Sequence, residues 1–143
     1  MTLLAESLSE SFTEAIEILT APRADLSMLT GTWRNTNERT TGIVRVVAEA
    51  NDDVLTLRFF GAAAGSADEA EPIDWGPVPA TVFYERNDDG MEQPFTARWD
   101  LRCMTVIAQG FLRQGVLVIL TFTRFHDGSA RSSYFSKEFF TRM

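Results

Sequence analysis

Apolar residues Leu4, Leu8, Phe12, Ala15, Ile16 and Leu19 recur at helical spacing, with Glu6, Glu10, Glu14 and Glu17 at intervening positions. The pattern predicts an N-terminal amphipathic α-helix within residues 1–22, closed by Pro22. Glutamates four residues apart repel by about a few tenths of a kcal/mol per pair. The helix is therefore expected to depend on a surface that buries its apolar stripe, either the rest of the chain or a partner.

Beyond Gly31 the period changes to two. Eight strand-like runs follow, over residues 32–35, 42–49, 54–60, 80–86, 95–102, 104–112, 116–125 and 131–142. The breaks Ala50-Asn51-Asp52-Asp53, Asn87-Asp88-Asp89-Gly90, Arg113-Gln114-Gly115 and His126-Asp127-Gly128-Ser129 carry residues that tolerate positive φ or form Asx turns. Consecutive hairpins make a meander, and closing it removes the unpaired edges that long strands would expose. The expected fold is mainly β: an eight-stranded antiparallel up-and-down barrel, residues 23–143, behind the helix in a single domain.

Residues 61–79 interrupt the regularity. Small residues Gly61 to Ser66 give way to acidic ones and then to Asp74-Trp75-Gly76-Pro77, a stretch too long for a tight turn. It is expected either to cover the barrel mouth as a lid or to pack as an inert loop, with Trp75 as its anchor.

Leu29-Thr30-Gly31-Thr32-Trp33, directly before the first strand, resembles the Gly-x-Trp opening of lipocalins, avidins and related calycin barrels. The resemblance covers residues 29–143 and implies that Trp33 plugs the closed end of the barrel beside an arginine from the end of the chain, Arg142, with Arg124 as fallback. Gly31, Trp33 and Arg142 are thus the expected closure. Lipocalins usually end in a helix and often carry disulfides, whereas this chain places its helix first and has one cysteine. No biotin-binding set can be matched to the avidins.

Composition narrows the function classes. The 143-residue chain is 45% hydrophobic, enough for one core. The lone Cys103 excludes an internal disulfide and favours the cytoplasm. A net charge of -7, with basic residues scattered rather than grouped in a stripe, argues against a nucleic-acid partner. The absence of a long apolar run or signal-like start argues against a membrane. A metal site is discounted because the one histidine, His126, and the one cysteine lie far apart in sequence. His126 in a turn is also a poor triad base. No phosphate-binding glycine motif is present, and no cofactor is expected.

The alternation Phe95-Thr96-Ala97-Arg98-Trp99-Asp100-Leu101-Arg102 separates an apolar face from a charged one. Turned inward, the apolar face lines the interior with Trp99, leaving Arg98, Asp100 and Arg102 in water. Residues 116–125 are apolar on both faces, so the outward set is expected to be covered by the N-terminal helix or by a second subunit in a homodimer. Phe59, Trp75, Tyr84, Trp99, Phe122 and Tyr134 are the candidate ligand-binding residues, either walling a cavity or filling the core. Tyr134 and Glu138 share a face of the last strand and are the candidate catalytic pair; a structural Glu138 paired with an arginine is the competing reading.

The first expectation is a barrel binding a small, largely apolar molecule inside. A cofactor-free isomerase or cyclase of a natural-product pathway is the alternative on the same scaffold. A filled barrel acting as an interaction module, through the N-terminal helix or the outer face of residues 116–125, is the third.

Overall fold

The computed structural model describes residues 25–63, 71–86 and 90–143. The expected N-terminal helix and part of the expected lid lie outside the described residues. A 3-10 turn, η1 (Leu26–Met28), precedes β1 (Gly31–Asn35), β2 (Ile43–Asn51), β3 (Val54–Gly61), β4 (Ile73–Val82), β5 (Glu92–Asp100), β6 (Met104–Arg113), β7 (Val116–Phe125) and β8 (Tyr134–Arg142). Each strand pairs antiparallel with the next, and β8 returns to β1 through Trp33↔Arg142, closing the barrel.

Alternation decides what points inward. Phe95, Ala97 and Trp99 of β5, Val106 and Ala108 of β6, Leu117 and Ile119 of β7 and Phe140 of β8 are buried in one core with Val46, Leu55, Leu57 and Phe59. The β6–β7 connection is the two-residue hairpin its sequence announces, with Gln114 at φ 51° and Gly115 at φ 79°, a primed turn that matches strand twist.

The fourth strand differs from expectation. It begins at Ile73 rather than Ala80, so Asp74-Trp75-Gly76-Pro77 is strand and not lid. Pro77 and Pro79 are accommodated because the adjoining β4–β5 ladder is only Thr81↔Thr96 and Val82↔Phe95, leaving few ladder bonds to lose. Between Arg58↔Pro77 and Phe60↔Asp74 the register shifts by one residue, with Gly76 at φ 89°. This bulge turns Trp75 toward the core.

At one end η1 leads into the buried Leu29, whose carbonyl accepts a hydrogen bond from Trp33 Nε1 at 2.9 Å. The Arg142 guanidinium lies 4.7 Å from the centre of the Trp33 ring and donates to the Met28 carbonyl. The arginine thus ties the last strand to the turn that precedes the first.

The β7–β8 connection is organised by Asp127. Its carboxylate accepts from Ser129 N at 3.0 Å and from Arg131 Nη2 at 2.5 Å. Hydrogen bonds from Ser129, assisted by the Arg131 charge, push its pKa down to about 2. A pKa lowered by folding stabilises above the ordinary carboxylate range, and the contribution is lost as pH falls through about 2. In a carbon-detected NMR titration, the Asp127 carboxyl and the Ser129 amide are expected to move together with a midpoint near 2. A midpoint near 4, the ordinary aspartate value, would contradict this turn.

Candidate functional site

The six aromatic candidates divide into two groups. Phe59 and Trp99 are fully buried and stack with ring centres 4.1 Å apart. Trp75 closes over both, at 5.9 Å from Phe59 and 6.1 Å from Trp99. Trp99 Nε1 donates to the Gly76 carbonyl at 3.0 Å, fastening β5 to the β4 bulge across the short seam. The Trp75 ring is admitted by Gly61, where a Cβ would come within 2.7 Å of Trp75 Nε1. These three rings pack on one another rather than standing apart as cavity walls.

Tyr84, Phe122 and Tyr134 are exposed. Tyr84 lies beyond the end of β4. Phe122 is on the outer surface because Leu117, Ile119, Thr121 and Thr123 occupy the inward positions of β7. Two threonines inside are tolerated where their hydroxyls are met, and Thr121 Oγ1 lies 2.5 Å from Ser136 Oγ. Tyr134 sits at the rim, opposite Thr123, with its ring 6.0 Å from Phe125.

Among the described residues Glu138 has neither a tyrosine nor an arginine as its partner. Its carboxylate accepts from Asn35 Nδ2 at 3.0 Å and Thr40 Oγ1 at 2.9 Å, while Asn35 Nδ2 also donates to the Ile43 carbonyl. A Cβ on Gly42 would approach Glu138 Oε1 to 2.8 Å, so the chain is built closely around this carboxylate. Tyr134 stands four residues away along β8, about 13 Å at the usual strand rise. The arrangement joins the β1–β2 connection to β8 and holds the two candidate catalytic groups apart.

The outer face of β5–β8 is the feature the one-dimensional reading described without resolving. Cross-strand neighbours Arg98↔Ile107, Ile107↔Phe122 and Phe122↔Phe135 form one continuous row. Ile107, Phe122 and Phe135 are 41%, 45% and 54% exposed, and Phe139 adds a fourth large apolar side chain further along β8. The Phe122 and Phe135 rings meet at 5.2 Å. They floor an open cleft of about 680 Å³ whose edges include Arg98, Arg124, His126 and Tyr134.

The charges around this cleft are unequally engaged. Arg98 is held by Asp100 at 3.1 Å, and Thr105 Oγ1 donates to the same carboxylate. The Arg98 hydrogen bond in turn lowers the Asp100 pKa. Among the described residues Arg124 has no carboxylate partner. His126 Nε2 lies 3.3 Å from Thr105 Oγ1 at the cleft's end.

No family model matches the chain, and no curated protein or solved structure matches it. Among the described residues no group of three histidine, cysteine or acidic side chains converges as a metal site. The described residues contain no helix long and apolar enough to cross a membrane.

The outer row was visible in sequence only as the double-sided apolar character of residues 116–125. Phe135 and Ile107 complete it through strand register, which one-dimensional alternation does not supply.

Proposed function

We propose that this chain is a calycin-like barrel working as a binding module through the outer face of β5–β8, with its interior filled by its own side chains. The single observation that carries the reading is the placement of aromatic residues. Phe59, Trp75 and Trp99 satisfy one another inside, whereas Ile107, Phe122 and Phe135 form a continuous apolar row in water. Exposed apolar rows flanked by polar and cationic groups are characteristic of recognition surfaces. The matching partner is an apolar segment of polypeptide lying along the row. Kinship with calycins is supported by Gly31-Thr32-Trp33 and by the Arg142 guanidinium over the Trp33 ring.

Native mass spectrometry of the purified full chain, followed by denaturing extraction, tests the reading against an interior cargo site. The expected result is polypeptide alone, as monomer or dimer. A stoichiometric apolar compound carried through purification and released on unfolding would overturn it and restore the interior as the binding site.

A further inference from the structure

We infer that the polypeptide segment recognised by the outer row carries an aspartate or glutamate two positions from its apolar anchor, and that Arg124 receives this carboxylate. The inference rests on the reading of the β5–β8 face as the working surface and names the partner's chemistry.

The charge around the cleft is the first observation. The chain is acidic overall, with a net charge of -7, yet among the described residues that line this cleft two are arginines, one is a histidine and none is acidic. An apolar floor with a cationic border complements an apolar segment that bears negative charge.

The second observation is which of these groups is already engaged. Arg98 donates to the Asp100 carboxylate through both Nε and Nη2. Thr105 gives its single hydroxyl proton to the same carboxylate at 3.1 Å, so its 3.3 Å contact with His126 is made by a ring N–H of the histidine. Asp100 is thereby satisfied from two sides, and His126 is committed to Thr105. Arg124 stands outside this chain of contacts. Its backbone faces Thr105 across the β6–β7 ladder, but its exposed guanidinium makes no ion pair, hydrogen bond or ring contact among the described residues.

The third observation is spacing. Phe122 and Arg124 are alternate residues on the outer face of β7, so their side chains rise about 7 Å apart. Alternate side chains of an extended polypeptide have the same spacing. A segment that seats an apolar side chain on Phe122, between Ile107 and Phe135, therefore brings a carboxylate two positions along over Arg124. The guanidinium offers that carboxylate two parallel N–H donors. Because the cleft is open to water, the gain is that of an exposed ion pair, about fivefold in affinity.

Two capped peptides test this, acetyl-Leu-Phe-Ser-Asp-amide and its counterpart ending in Asn, each titrated into the full chain and followed by methyl NMR. Both are expected to shift the Ile107 methyl signals, with the Asp peptide binding about fivefold more tightly. Arg124→Gln is expected to make the two affinities equal. Unchanged signals from Leu57 and Ile119 would show that the barrel of this variant is intact. A second measurement needs no substitution: in about 1 M salt, where charges are screened beyond about 3 Å, the wild-type preference should fall below about twofold.

Equal binding of the two peptides by the wild-type chain would overturn the inference while leaving the outer face as the working surface. A preference unchanged by Arg124→Gln or by salt would overturn it as well, since the carboxylate would not be what Arg124 holds. If neither peptide moves Ile107, the reading of the face falls and the inference falls with it.

Discussion

Gly110→Ala is expected to destabilise the protein by about 3 kcal/mol, at the upper end of what overpacking a core usually costs. Gly110 faces Phe95 directly across the β5–β6 ladder, and the tip of the Phe95 ring occupies the space a Cβ would need. A Cβ there would sit 2.3 Å from Phe95 Cζ and under 3 Å from two further ring atoms, closer than any carbon contact permits. Phe95 is 2% exposed, so the ring has no solvent side into which to swing. Thermal unfolding should show a midpoint lowered by roughly 10 °C for a domain of this size. Partial recovery is expected when Phe95→Leu is added, because the smaller side chain vacates the space. An unchanged midpoint would mean that this ring does not occupy that space.

The second large effect is expected at Trp99. Trp99→Ala removes the ring that stacks on Phe59, supports Trp75 and fastens the β4 bulge, and should cost about 3 to 5 kcal/mol. Trp99→Phe keeps an aromatic surface but leaves the Gly76 carbonyl without its donor, and should cost about 1 kcal/mol. The two variants separate packing from the hydrogen bond. Hydrogen exchange should show faster opening at Phe83, whose amide donates to the Pro94 carbonyl beside the short β4–β5 seam. Equal stability of both variants would show that the ring is not a core element; unaltered exchange at Phe83 in Trp99→Phe would show that the indole donor does not hold the seam.

These expectations mark what could be read from residue order and what required three dimensions. Alternation and turn chemistry located eight strands, and β7 spans Val116–Phe125 in both readings. Trp33 and Arg142 stand together because barrel closure brings the first and last strands into register, a juxtaposition that the Gly-x-Trp resemblance implied.

The start of β4 was obscured by Pro77 and Pro79, which ordinarily break strands, and only the shortness of the neighbouring ladder makes them harmless. A glycine directly after Trp75 was the available signal for a bulge.

Facing was the harder problem. In β7 both faces are apolar, so hydrophobicity could not assign Phe122, and the deciding factor is that the Thr121 hydroxyl finds a partner in Ser136 inside the barrel. The same choice sends Phe122 outward to meet Ile107 and Phe135. Alternation placed Glu138 on one face with Tyr134 but left open which face of the last strand turns inward, and its partners Asn35 and Thr40 lie about a hundred residues away, where no spacing rule connects them.

The account stands on binding occurring outside a filled barrel, and methyl NMR of the full chain titrated with anilinonaphthalene sulfonate, a flat apolar anion, tests this most directly. The predicted result is progressive shifts at Ile107, Val118 and Leu120, with Leu57, Val106 and Ile119 unmoved. Shifts confined to Leu57, Val106 and Ile119 would place the ligand among Phe59, Trp75 and Trp99 and contradict the account.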